Sequence, residues 1–243
     1  MKNKIIIVGD SYAYGHGLPD RVHYYDQKSK SWIGQSWAED APPSVYCWAS
    51  LAGRDFTNFE FLNVSIPGNS NDNMFINLLN EIDDRTALVI FAGSMPARTI
   101  IKHHTVDEMV VPWIVRAETI EYDKQPKAYA AAKENFVKHL YNNKIGNTHS
   151  SMAIIAAWAV ALLHQAKFAW CVPRLESDLL NEKGLTIAHI KEMSFPSIIN
   201  YEFAPKFGPN WQDFEAADGH INEYGHKLYY EAEIKPLLTR LLS

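Results

Sequence analysis

Hydrophobic residues in this chain gather in short runs separated by longer amphipathic stretches. Ile5–Val8 (IIIV) is uninterrupted and β-branched, the pattern of a strand buried on both faces, and it stops at Gly9-Asp10-Ser11. Phe59–Ile66 (FEFLNVSI) and Ala87–Phe91 (ALVIF) repeat that character and run into Pro67-Gly68 and Gly93-Ser94, while Lys167–Val172 (KFAWCV) is stopped by Pro173. Helical stretches lie between or after them: Val45–Arg54, Asp72–Ile82, Tyr129–Asn142, Met152–Gln165 and Lys227–Leu242. Strand alternating with helix predicts an α/β fold, a parallel sheet covered by helices on both faces. Ligands bind such sheets beyond the carboxyl ends of the strands. The three glycine-containing turns after the first three strands are therefore expected on one edge.

Two connections escape the pattern. His16–Pro43 is rich in Tyr, Trp, Asp, Lys and Ser without periodicity, and Thr99–Pro126 mixes β-branched, charged and aromatic residues. Connections of this length are either substrate-binding lids or surface insertions. They sit inside what reads as one domain, residues 1–243, with insertions near 16–43 and 99–126.

Composition narrows the class. Of 243 residues 47% are hydrophobic and 21% charged, the balance of a globular enzyme, and a net charge of -5 provides no basic surface for nucleic acid. The only cysteines, Cys47 and Cys171, form no C-x-x-C unit, so neither a disulfide framework nor a cysteine zinc site is indicated. The apolar run after Met-Lys-Asn-Lys is four residues long, too short for a signal-peptide core, and Met152–Leu163 is too short to span a bilayer. The expectation is a soluble, cytoplasmic protein without a membrane partner; its oligomeric state is left open.

The chemistry sits at the two ends of the chain. Ser11 directly follows the first strand in Gly9-Asp10-Ser11-Tyr12-Ala13-Tyr14-Gly15, where a hydroxyl can face the cleft and the next N–H groups can meet negative charge. A serine hydroxyl is a weak nucleophile until a base takes its proton. Ala217-Asp218-Gly219-His220-Ile221-Asn222-Glu223-Tyr224-Gly225-His226, just before the last helix, supplies one: Asp218 can hold one ring nitrogen of His220 and leave the other for Ser11.

GDSYAYG after a first strand resembles the nucleophile block of SGNH (GDSL-like) hydrolases, and DGHINEYGH resembles their C-terminal aspartate/histidine block. Asn63-Val64-Ser65-Ile66-Pro67-Gly68-Asn69-Ser70 is similar to the family's N-x-x-x-x-G-x-S/T turn. The resemblance implies a three-layer α/β/α sandwich with a mostly parallel, flavodoxin-like sheet of about five strands. It implies a serine esterase whose oxyanion hole is built from the N–H groups of Ser11 and Gly68. The third block departs: the family has Gly-x-Asn after the third strand, and if Ala92-Gly93-Ser94 is the equivalent triplet Ser94 takes the place of the asparagine donor, whereas the alternative register, Gly93-Ser94-Met95, leaves no side-chain donor. Losing one oxyanion donor costs roughly a hundred- to a thousandfold in rate. The last block departs as well, with Asp-x-His in place of the commoner Asp-x-x-His.

Other candidates are weaker. Arg98 reads as a surface or packing arginine, His226 as a packing or capping residue, and His103-His104 with Asp107-Glu108 as a solvated group. Asp218, His220, Glu223 and His226 lack H-E-x-x-H spacing, and neither a third glycine after Gly15-His16-Gly17 nor a Gly-Lys-Ser/Thr loop is present. Gly34-Gln35-Ser36-Trp37-Ala38 has no strand before it, as a nucleophile elbow requires. No metal or organic cofactor is called for. The expected substrate is a short acyl ester, such as an O-acetyl group on a carbohydrate or small molecule. The aromatic segment from Tyr12 to Trp37 is a candidate surface for stacking on a sugar. A binding protein with weak or lost turnover and an acyltransferase remain alternatives.

Overall fold

Every residue of the first strand, Lys4–Gly9 (β1), is buried, which places it at the centre of the sheet. The structure, a computed structural model, describes residues 2–21, 23–26, 31–34, 42–96, 99–102, 107–110, 143–173, 175, 192–198, 211–216 and 220–243. Asp218, Arg98, the His103-His104 pair, Gln35–Ala38 and the helix expected over Tyr129–Asn142 lie outside those residues. The elements in chain order are β1, α1 (Ser11–Tyr14), β2 (His23–Asp26), β3 (Ser31–Gly34), α2 (Trp48–Asp55), β4 (Glu60–Asn63), α3 (Asn71–Glu81), β5 (Thr86–Ala92), β6 (Thr99–Lys102), β7 (Asp107–Val110), α4 (Asn143–Leu163), β8 (Lys167–Cys171), α5 (Glu223–Tyr229) and α6 (Lys235–Leu242).

The main sheet runs β4-β1-β5-β8 with all neighbours parallel. Four strands are described where about five were expected. A single parallel bridge from Trp170 to Ser194, flanked by hydrogen bonds to Met193 and Phe195, extends the outer edge of β8. The two long connections contain antiparallel pairs, β2 with β3 and β6 with β7. These short strands carry little apolar alternation and were not anticipated.

Side chains alternate across the sheet and divide the core into two layers. Ile5, Ile7, Leu88 and Ile90 pack on one face with Trp48, Ala52, Tyr229, Ile234 and Leu238. Ile6, Val8, Val89 and Phe91 pack on the other with Met74, Leu78, Ile154, Ala157 and Ala161. This is an α/β/α sandwich, with α2 and the C-terminal helices on one side and α3 and α4 on the other. Ile5, Ile6, Ile7 and Val8 have no exposed surface, and each such aliphatic side chain contributes about 1.5–3 kcal/mol by leaving water.

Helix α4 is longer than its apolar run suggested, because polar residues from Asn143 to Ser151 form its first turns. By length and composition Lys144–Leu163 is apolar enough to cross a membrane. Here its small buried residues Ala153, Ala157 and Ala161 let it close against the second core layer.

The last helix is interrupted. Residues Tyr230–Ile234 form a π-helical turn between α5 and α6. Pro236, in the first turn of α6, gives the cause, since it has no N–H for the preceding turn and its ring crowds the carbonyl four residues back. The Lys235 N–H reaches instead to the Tyr230 carbonyl.

Candidate active site

The turn that carries Ser11 is built from local hydrogen bonds. Asp10 caps α1, its carboxylate accepting the Tyr12 N–H at 3.0 Å, and Ser11 opens the helical turn with only 5% of its surface exposed. Gly15 closes it at φ +84°, a conformation L side chains rarely adopt, and a Cβ there would stand 2.7 Å from those of Ser44 and Cys47. The chain then doubles back, and the N–H groups of Gly15 and His16 both donate to the Ser11 carbonyl at 2.9 Å.

His220 arrives from the far end of the chain on a tight pinch. The Ala216 N–H donates to the His220 carbonyl at 2.7 Å and the Asn222 N–H to the Phe214 carbonyl at 2.8 Å, with Glu215 bridged to Ile221. Buried Phe214 and Ile221 anchor the pinch in the core. Asn222 caps α5 by accepting the Gly225 N–H at 2.9 Å and ties back to the Asp213 carbonyl at 2.7 Å. The result is a 3.1 Å contact between His220 Nε2 and Ser11 Oγ, across 209 positions of sequence. With Nε2 unprotonated, it accepts the Ser11 hydroxyl proton.

Two further rings meet the same imidazole. Tyr12 lies 5.0 Å from it between ring centroids, tilted by 46°, and His16 lies 4.8 Å from it, edge-on at 68°. Neither contact was anticipated; Tyr12, the first residue of the segment offered as a sugar-stacking surface, packs against His220. The only signal was position, one and five residues after Ser11.

The second block runs along the end of β1. The Ile66 N–H donates to the Gly9 carbonyl at 3.1 Å, and Gly68 turns the chain at φ +75°. Buried Asn69 donates to that same carbonyl at 3.4 Å and accepts from Asn73 at 2.8 Å. Gly9 pairs with Ala92 in the sheet, so the turns carrying Ser11 and Ser94 leave neighbouring strands at the same edge.

Ser94 is fully buried. Its N–H donates to Asn71 Oδ1 at 2.7 Å and its carbonyl accepts from Asn71 Nδ2 at 2.9 Å, while that amide also donates to Ser150 Oγ at 2.8 Å. The Ser94 hydroxyl itself has no hydrogen-bond partner among the described residues. Asn71 went unnoticed in the sequence, where it reads as one polar residue at a helix start.

His226 is sealed in the core, and its Nδ1 accepts the Trp48 N–H at the start of α2 at 3.3 Å. It thus caps a helix other than its own. Burial, with His220 as a second cause, lowers its pKa to about 3. Both cysteines are free and buried, and burial pushes both thiols up; at Cys171 the Asp10 carboxylate adds to the effect. Among the described residues no three His, Cys, Asp or Glu side chains gather as metal ligands. A small recess of about 10 Å³, lined in part by Tyr12, Trp48, Ala92, Cys171 and Tyr229, flanks the Ser11 turn.

The chain is similar to G-D-S-L proteins. A solved structure similar to this chain is that of TesA, 13% identical with a TM-score of 0.47, covering 98% of this chain and 99% of that one. A G-D-S-L family protein from Desulfitobacterium hafniense DCB-2 is 11% identical with a TM-score of 0.47, over 98% and 99% of the two chains. A two-domain esterase active on acetylated mannans is 14% identical with a TM-score of 0.45; the match covers 98% of this chain and 49% of that one. No family model matches the chain, and no curated protein does.

Proposed function

We propose that the chain is a serine-dependent ester hydrolase of the SGNH kind, acting on short acyl esters such as O-acetyl groups of a carbohydrate or small molecule. The 3.1 Å contact between Ser11 Oγ and His220 Nε2 at the carboxyl edge of the sheet carries this reading. His220 takes the hydroxyl proton as Oγ bonds to the ester carbonyl carbon and the carbonyl π pair moves onto oxygen. The N–H groups of Ser11 and Gly68 face that oxyanion in this reading. His220 then returns the proton to the departing alcohol, and water repeats the two steps on the acyl-serine. Asp218 is proposed to hold the second nitrogen of the imidazole. No step calls for a metal or organic cofactor.

Ser94 is the proposed third donor. Its hydroxyl is sealed from solvent, so it meets an oxyanion only if the cleft wall parts, and the two main-chain donors carry most of the stabilisation. The same burial favours one second reading, a binding protein on this fold with slow turnover.

Steady-state assay with 4-nitrophenyl acetate tests the proposal. Hydrolysis by the wild type and its loss in Ser11→Ala are expected; equal rates in the two proteins would remove Ser11 from the mechanism. An acyltransferase would instead form product faster when an acceptor alcohol is added.

A further inference from the structure

An imidazole delivered on a turn must be held in orientation as well as in place. The Ser11 contact constrains His220 along one direction only, through Nε2. The ring is met from elsewhere by Tyr12 at 5.0 Å and by His16 at 4.8 Å, both half-buried. Both come from the nucleophile's own turn. Tyr12 follows Ser11 directly, and the left-handed Gly15 sends the chain back so that the His16 N–H closes on the Ser11 carbonyl. One six-residue segment therefore carries the nucleophile and two aromatic contacts to the base, fixing the three relative to one another. The edge-on approach of His16 is a preferred aromatic geometry. Tyr12 lies within the distance at which an aromatic ring attracts a cation, and His220 becomes a cation when it takes the Ser11 proton.

We infer that Tyr12 and His16 form an aromatic cradle that holds the His220 ring on Ser11 and stabilises the imidazolium formed during acyl transfer. This rests on the hydrolase reading above, and it makes both side chains positioning residues whose rings, rather than their polar atoms, matter.

The test joins kinetics on 4-nitrophenyl acetate to proton NMR of the His220 ring, using the whole chain. Tyr12→Leu and His16→Ala are each expected to lower kcat by roughly five- to tenfold with KM changed less than about threefold, and the Phe variants at both positions to recover most of the loss. The His220 Hε1 resonance should move in Tyr12→Leu and His16→Ala, because neighbouring ring currents are lost, and move back in the Phe variants. Wild-type kcat in the double variant that combines Tyr12→Leu with His16→Ala would overturn the cradle, as would an unmoved Hε1 resonance. His16→Phe as slow as His16→Ala would also overturn it, since a ring nitrogen would then be what His16 supplies. If the wild type neither hydrolyses the ester nor reacts with a serine-directed phosphonate, the hydrolase reading fails, and the Hε1 shift alone decides whether the rings hold His220.

Discussion

Asn71 satisfies both main-chain groups of Ser94, accepting its N–H at 2.7 Å and donating to its carbonyl at 2.9 Å. A side chain from the first turn of α3 thus does for the end of β5 what a neighbouring strand does within the sheet. Asn71→Ala would leave a buried N–H, a buried carbonyl and the Ser150 hydroxyl short of a partner. The expected loss is about 2–4 kcal/mol of folding stability, read by urea unfolding. A loss below about 0.5 kcal/mol would mean that these groups find water or other partners.

Ser94 itself should behave in the opposite way. Its buried hydroxyl has no partner among the described residues, and an unsatisfied buried hydroxyl costs about 1–3 kcal/mol. Ser94→Ala is therefore expected to match or exceed the wild type in urea unfolding. Because Ser11 and Gly68 supply the main-chain donors in the proposed hole, ester hydrolysis should fall by less than about tenfold. A hundredfold fall would make the hydroxyl a principal oxyanion donor.

His226 predicts a dependence of stability on pH. Its pKa in the folded chain lies at about 3, below the ordinary 6.5, chiefly because burial disfavours the charged ring. The unfolded chain binds the extra proton first, so this contribution is complete above about pH 6.5 and is lost progressively as pH falls toward 3. Urea unfolding between pH 4.5 and 6 should show stability falling by about 1.4 kcal/mol per pH unit from this group. His226→Gln should flatten that slope, and an unchanged slope in the variant would assign the effect elsewhere.

Gly15 admits no side chain. At φ +84°, with the Ser44 and Cys47 Cβ atoms 2.7 Å from where its own Cβ would stand, Gly15→Ala combines backbone strain with overlap. A loss of about 2–4 kcal/mol is expected in thermal or urea unfolding. Since the same turn aims Ser11, esterase activity should fall with it even at temperatures where the variant stays folded.

The sheet was legible because β1, β5 and β8 are almost wholly buried and so read as continuous apolar runs, while the edge strand β4 is only half-buried. The turn after β1 and the Gly68 turn were legible because left-handed and close-approach positions need glycine. The C-terminal pinch was readable only as a motif; what anchors it, Phe214 and Asn222, depends on contacts that no local pattern announces. Tyr12, His16 and Asn71 were missed for a related reason. Each acts across a long sequence gap, and an isolated aromatic or amide carries no periodic signal. The helix expected over Lys227–Leu242 begins instead at Glu223, where Asn222 caps it, and widens at Tyr230–Ile234. Hydrophobic spacing does not distinguish a π turn from a continuous helix; the proline after it was the available sign.

The most direct test of the account is covalent labelling. Treating the wild type with a serine-directed fluorophosphonate at neutral pH and mapping the adduct by peptide mass spectrometry should place it on Ser11, with labelling strongly slowed in His220→Ala. No adduct, an adduct on another serine, or equal labelling without the histidine would contradict the pairing of Ser11 with His220.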